Sequence, residues 1–208
     1  PPKKCITVLA RHKLIYIDSI LPVLYKIHMS YNISVKVVFD DYTKGFKVIK
    51  DNVVINNILS SMGEIVLLQG MSSHKVIRWF YSFLTLLKIS LNGVKGGVLI
   101  HFGQADVFPF TLLRIFYKDR VYLSESGIVN KVWRKKEAIF LNKSYTVQVL
   151  SKYNDKVICY SDWLYDHCIS INRRAFFYGP SRMTYTWINY ISQVQEKYLH
   201  KYHPIIET

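Results

Sequence analysis

The chain is short of acids. Asp and Glu number 14 against 28 Lys and Arg, giving a formal net charge of +14 over 208 residues. That favours an anionic partner: nucleic acid, anionic lipid or a phosphorylated substrate. Long apolar runs are missing too. No stretch of about 18 uncharged apolar residues occurs, so the sequence predicts no transmembrane helix. Nor is there a signal peptide; the start, Pro1-Pro2-Lys3-Lys4, reads as a trimmed terminus.

Glycine-rich phosphate cradles are absent. No Gly-x-Gly-x-x-Gly follows the first apolar strand and no Gly-Lys-Ser/Thr of the Walker type appears, which argues against a dinucleotide oxidoreductase and a P-loop enzyme. The Gly-x-Ser-x-Gly elbow of a Ser/His/Asp hydrolase is missing; Ser124-Glu125-Ser126-Gly127 resembles it only loosely. The three cysteines, Cys5, Cys159 and Cys168, have no metal-ligand spacing, and no His-Glu-x-x-His occurs, so no metal site is expected. Cys159 and Cys168 lie in apolar segments and read as buried free thiols of a reducing compartment.

What the chain does have is half its residues hydrophobic and 15% aromatic, enough for a sizeable core. Short β-rich runs alternate with helical ones. Strands are expected at Cys5–Ala10, Ser34–Phe39, Glu64–Gln69, Val98–Phe102, Arg120–Leu123, Lys156–Tyr160 and Phe176–Tyr178. Helices are expected over Leu14–Ser30 with a kink at Pro22, Val48–Met62, Lys75–Leu91 capped by Ser72-Ser73, a run through Phe116, Ser161 to Ile171, and Tyr185–Tyr202; Gly93–Gly97 reads as a turn. This alternation predicts an α/β fold: a single Rossmann-like domain, a mostly parallel sheet flanked by helices, with right-handed crossovers. Asn130–Tyr153, with its basic Arg134-Lys135-Lys136, is the least regular part and reads as an insertion or a mobile loop.

In such a sheet ligands bind beyond the carboxyl ends of the strands. That rule selects Arg11 and His12, Asp40 and Asp41, Gly70, Ser72, Ser73 and His74, then His101, Gly103, Gln104 and Asp106, then Ser124, Glu125 and Ser126, then Ser161 and Asp162. His101, Asp106 and Glu125 are the candidate proton acceptors for a sugar hydroxyl. Against that role, His101 also reads as a structural histidine and Asp106 as a helix cap. Arg182, leaving the Phe177–Ser181 turn, is a candidate for holding a phosphate or carboxylate, or a pin for the last helix. The helix KVIRWFYSFLTLLKISL carries only Lys75, Arg78 and Lys88 as charges and clusters Trp79, Phe80, Tyr81 and Phe83. Cations and aromatics on an apolar helix suit a bilayer interface, and equally suit a helix that covers the sheet. Phe108–Arg120 repeats the basic-aromatic composition.

A strand with a basic loop, strands ending at His101 and Ser124-Glu125, and then Asn154-Asp155-Lys156-Val157-Ile158-Cys159-Tyr160-Ser161 resembles the N-terminal, acceptor-side domain of GT-B-fold glycosyltransferases, of the type acting on bacterial surface polysaccharides or lipid-linked sugars. The closing helix with Trp187 is similar to the segment leading into their second domain. The resemblance implies an acceptor-binding domain at 1–184 and, at 185–208, a helix leading toward a donor-binding half outside these residues. It implies a nucleotide sugar as donor substrate in the full enzyme, a carbohydrate or lipid-linked acceptor, and no cofactor held by this chain. It places Arg11, His12 and the His101 region on the interdomain cleft, with Ser73, Gln104, Ser126 and Arg182 as further substrate contacts. Arg78, Trp79, Phe80 and Lys88 are then the contacts to an anionic membrane, and the expected location is cytoplasmic, peripheral to the inner face of the cell membrane.

Three other readings stay open. One is a non-catalytic, membrane-associated subunit partnering a separate donor-binding chain. A second is a nucleic-acid module, disfavoured because the cations are scattered and no recognition motif appears. The third is a Rossmann-like half of a sugar-nucleotide epimerase.

Overall fold

In the computed structural model the described residues are 5–10, 14–39, 46–68, 74–123, 153–160, 162–179 and, of the last helix, 184–196 except 186 and 195. They form a single α/β domain around one seven-stranded sheet of order β3-β2-β1-β4-β5-β6-β7. The strands are β1 (Cys5–Ala10), β2 (Ser34–Phe39), β3 (Gly63–Leu67), β4 (Val98–His101), β5 (Asp119–Leu123), β6 (Lys156–Cys159) and β7 (Ala175–Phe177). Every pairing is parallel. The chain winds outward from β1 to β3, returns past β1 to β4, and then winds the other way. This is a doubly wound, Rossmann-like arrangement, and the order reverses between β1 and β4.

Helices cover both faces, which is why the central strands are apolar on both sides. On one face lie α1 (Leu14–Tyr31), α2 (Lys47–Asp51) and α3 (Val53–Met62). Ile17, Ile20, Leu21 and Leu24 of α1, one helical stripe, pack on Ile6, Val8, Val35 and Val37. Trp187 of the last helix joins the same core. On the other face lie α4 (Lys75–Val94), the one-turn α5 (Leu113–Phe116) and α6 (Asp162–Ser170). Leu86 and Ile89 of α4 and Leu113 of α5 bury Leu9, Val38 and Leu99; Leu164 and Cys168 of α6 cover Tyr122, Val157 and Cys159. The Cys159 and Cys168 sulfurs are 4.0 Å apart as free thiols.

The structure departs from the expected elements at three places. The helix expected over Val48–Met62 is two helices, because Asn52 takes an extended backbone and its side-chain Oδ1 accepts from the N–H of Ile55 (3.1 Å), capping α3. Gly93, expected in a turn, lies inside α4. A Cβ there would stand 2.7 Å from the carbonyl oxygen of Phe116, so glycine lets α4 and α5 close on each other. The helical run expected up to Phe116 is instead two 3-10 turns, Gln104–Asp106 and Phe110–Leu112, before α5. Side-chain bonds from Gln104 and Arg114 hold that segment in place.

No described helix is long and apolar enough to cross a membrane.

Candidate functional site

The reversal between β1 and β4 opens the sheet at its carboxyl edge. Gln104 staples the two strand ends there. Its Nε2 donates to the carbonyl of Leu9 on β1 (3.0 Å), and its Oε1 accepts from the N–H of Phe102 just past β4 (2.7 Å). Gly103 makes this geometry accessible: its φ of 103° is a left-handed conformation that side chains resist. The turn aims the Gly103 N–H at Nδ1 of His101 (3.1 Å).

His101 is 0% exposed. Since Nδ1 accepts the Gly103 bond, the ring proton belongs on Nε2, which donates to Oδ2 of Asp155 (2.9 Å). Both ring nitrogens are therefore engaged, and the Tyr122 ring packs edge-on against the imidazole at 5.6 Å. Asp155, also buried, accepts from Arg114 Nη1 (2.9 Å) and Arg120 Nε (2.8 Å) at Oδ1. Arg114 pairs in addition with Asp106 through Nη2, donates from Nε to the carbonyl of Ala105 (2.8 Å), and lies 3.9 Å over the Tyr153 ring. Arg120 Nη1 donates to the carbonyl of Tyr117 (2.6 Å). Two carboxylates thus balance two guanidiniums beneath α5. Burial alone would raise the Asp155 carboxyl pKa; hydrogen bonds from His101 and Arg120 and the charge of Arg114 outweigh it and hold the group well below the usual carboxylate range. The network ties β4 to β6 across β5. Its members hold one another, and His101 and Asp106 sit inside it as positioning groups rather than facing an open cleft.

Past the carboxyl ends of β3 and β4, where Leu68, Gly103 and Gln104 line it, lies a cavity of about 640 Å³. Lys75, Arg78, Trp79 and Phe83 of α4 form one wall, and Phe108 and Phe110 the other. Trp79 and Phe83 stack at 6.0 Å, with their planes 9° apart. Ser82 also lines it, but its hydroxyl donates to the carbonyl of Arg78 (2.9 Å). The Nε of Arg78 is buried and, among the described residues, has no hydrogen-bond partner. An unmatched buried donor costs about 1–3 kcal/mol, more when charged.

The apolar surface continues outward. The buried residues of α4 all lie in its C-terminal half, at Leu86, Ile89, Ser90 and Gly93. The N-terminal half overhangs the sheet, exposing Val76 (79%), Trp79 (65%) and Phe80 (54%), and Phe108 (72%) and Ile115 (75%) project from the facing segment. Lys88 lies on the exposed side of α4, paired with Glu64 at 3.4 Å. Thus the structure brings Arg78, Trp79 and Gln104 to one cavity, leaves Phe80 and Lys88 on the outer surface of α4, and sets His101 and Asp106 in the ion network. Arg11, His12, Ser73, Glu125, Ser126 and Arg182 lie outside the described residues, as do the expected Ser72-Ser73 cap and the segment from 130 to 152.

Asp155, Arg114 and Arg120 were not singled out as a unit by the sequence. The one signal was an Asp directly ahead of a strand, in Asn154-Asp155-Lys156, with no local partner to explain it. Among the described residues no group of three or more His, Cys, Asp or Glu is placed to hold a metal ion. No protein family matches the chain, and comparison with curated proteins and with solved structures finds no match.

Proposed function

We propose that this chain is the acceptor-side half of a glycosyltransferase of the GT-B type, moving a sugar from a nucleotide-sugar donor to a lipid-linked or polysaccharide acceptor at a membrane surface. The observation that carries this reading is the cavity at the carboxyl edge of a doubly wound sheet, walled by a cationic, aromatic helix whose outer half is exposed. A substrate held partly in a bilayer would enter such a cavity without leaving the lipid. The donor nucleotide belongs to a second domain or chain, since the described lining of the cavity includes no glycine-rich cradle. Of the candidate proton acceptors, His101 and Asp106 are committed to partners. The role falls to Glu125, two residues past β5 in sequence.

The test starts from the natural gene product. Its intact mass, and any chain that co-purifies with it, show where a donor half resides. Consumption of nucleotide sugars is then followed with prenyl-phosphate-linked acceptors present. Transfer that falls by about a hundredfold or more in Glu125→Gln supports the reading. A product of this length with no partner chain and no transfer overturns it.

One observation favours a second reading, a non-catalytic membrane-associated subunit: no carboxylate or imidazole among the described residues lines the cavity. Under that reading Glu125→Gln leaves the partner's transfer rate unchanged, while loss of the chain removes the activity from the membrane fraction.

A further inference from the structure

The cavity between α4 and Phe108–Leu112 carries more chemistry than a general acceptor cleft requires. Its volume of about 640 Å³ suits one small molecule. Among the described residues, Lys75 and Arg78 are the charged ones in its lining, both cationic. The buried Nε of Arg78 lacks a partner among the described residues. The Arg78 guanidinium and the Lys75 ammonium together suit an anionic group, and a guanidinium is well shaped for phosphate.

The rest of the lining decides what the anion is attached to. Ser82 and Gln104 add polar, uncharged side chains to the described lining. The Ser82 hydroxyl donates to the Arg78 carbonyl, and the Gln104 carboxamide is engaged at both ends, on Phe102 and Leu9. Both are turned onto the protein's own backbone. What remains is the apolar wall of Trp79, Phe83, Leu86 and Phe110. Its rim runs out to exposed Phe108 and Val107, so a chain longer than the cavity can leave it along an apolar path.

We propose that this cavity binds a phosphate ester of a long apolar alcohol, with the phosphate on Arg78 and Lys75 and the chain along Trp79, Phe83 and Phe110. That this ligand is the acceptor's anchor rests on the transferase reading above; that the site binds it does not.

The experiment is a titration of the full chain with dodecyl phosphate below its micellar concentration, read by tryptophan fluorescence and calorimetry. Saturable binding is expected, about tenfold or more tighter than inorganic phosphate and dodecyl maltoside, which separates a lipid phosphate from a free anion and from a bare chain. Arg78→Met, which keeps an apolar stem, weakens binding about tenfold or more, and Arg78→Lys restores part of it. Phe80→Ser, on the exposed side of α4 and not in the lining, changes it less than about twofold. Shortening the alkyl chain from twelve carbons to eight weakens binding in the unaltered protein, a result independent of how any variant folds. Equal affinity for dodecyl maltoside, tighter competition by uridine diphosphate, indifference to chain length, or loss in Phe80→Ser with none in Arg78→Met each overturns the proposal. The last of these marks simple adsorption to the helix surface. Binding that behaves as expected without sugar transfer counts against the transferase reading alone. Transfer indifferent to Arg78→Met counts against the cavity alone.

Discussion

Nε2 of His101 lies 2.9 Å from Oδ2 of Asp155, a residue 54 positions further along the chain. Neither side chain is exposed, and β5 runs between β4, which ends at His101, and β6, which Asp155 immediately precedes. The pair therefore reports on the assembled sheet. With Arg114 and Arg120 it forms a buried ion cluster, and clusters of this kind are costly to break from one side. Asp155→Ala would remove the carboxylate that Arg114 and Arg120 share, leaving Arg114 with Asp106, and should destabilise the fold by about 3–5 kcal/mol in urea denaturation at neutral pH. The pH dependence has a definite sign. The folded Asp155 carboxyl titrates below its unfolded value of about 3.9. Its contribution is complete above that value and is lost as pH falls through it toward the lower folded value. The unaltered protein should lose stability on acidification below about pH 4, and Asp155→Ala should lose less over the same range. An equal loss in both would place the acid sensitivity elsewhere.

Gly93 is the contact point of α4 and α5. Gly93→Ala would set a methyl group 2.7 Å from the Phe116 carbonyl oxygen and 2.8 Å from its carbon, backbone atoms that cannot rotate away. Alanine ordinarily favours a helix over glycine by about 1 kcal/mol. Here the sign should reverse, with a net loss of about 1–3 kcal/mol from overpacking, measured as a lowered Tm. Gly96→Ala makes a useful comparison: nothing lies within 4 Å of its added Cβ, and any cost there comes from its φ of +80° alone.

The exposed half of α4 makes a prediction about membranes that is separate from the cavity. Phe80 and Leu84 are 54% and 44% exposed and do not line the cavity. Replacing both with Ser should reduce sedimentation with vesicles containing phosphatidylserine by about tenfold or more, since each side chain contributes about 1.5–3 kcal/mol when fully buried. Binding of the unaltered protein should fall with rising salt, because basic residues near an anionic surface contribute about 1 kcal/mol each and are screened. Salt-independent binding, or full binding by the double variant, would remove α4 as the contact.

Much of the fold is legible in short windows. Cys5–Ala10 and Ser34–Phe39 are strands with the bounds their apolar runs suggest. Their register and their neighbours are not local properties, yet alternation of strands with helices and the rule of right-handed crossovers lead to a parallel sheet. The failures are equally instructive. Gly93 signals a turn by composition, but a close helix approach uses the same absence of Cβ. The segment before Phe116 has apolar residues enough for a helix, but Arg114, bonded to Ala105 and Asp106, and Gln104, bonded to Leu9, hold it in short 3-10 turns. His101 was equally readable as a base or as a structural residue, because a titratable side chain at a strand end looks the same whether its partner is a substrate or Asp155.

By itself the sequence determined the class of the fold, the excess of positive charge and the apolar, cationic and aromatic composition of α4. These follow from residue types and from periods of two and 3.6 residues, which operate over a few neighbours. Only the tertiary structure decided that His101 and Asp106 are held in an ion cluster, that Gln104 joins β1 to β4, and that Arg78 lines a cavity with its Nε unmatched among the described residues. Each of those outcomes depends on groups brought together from distant parts of the chain and removed from water. A charge or a donor acquires its role from the partner it meets on folding, and that partner is not written beside it.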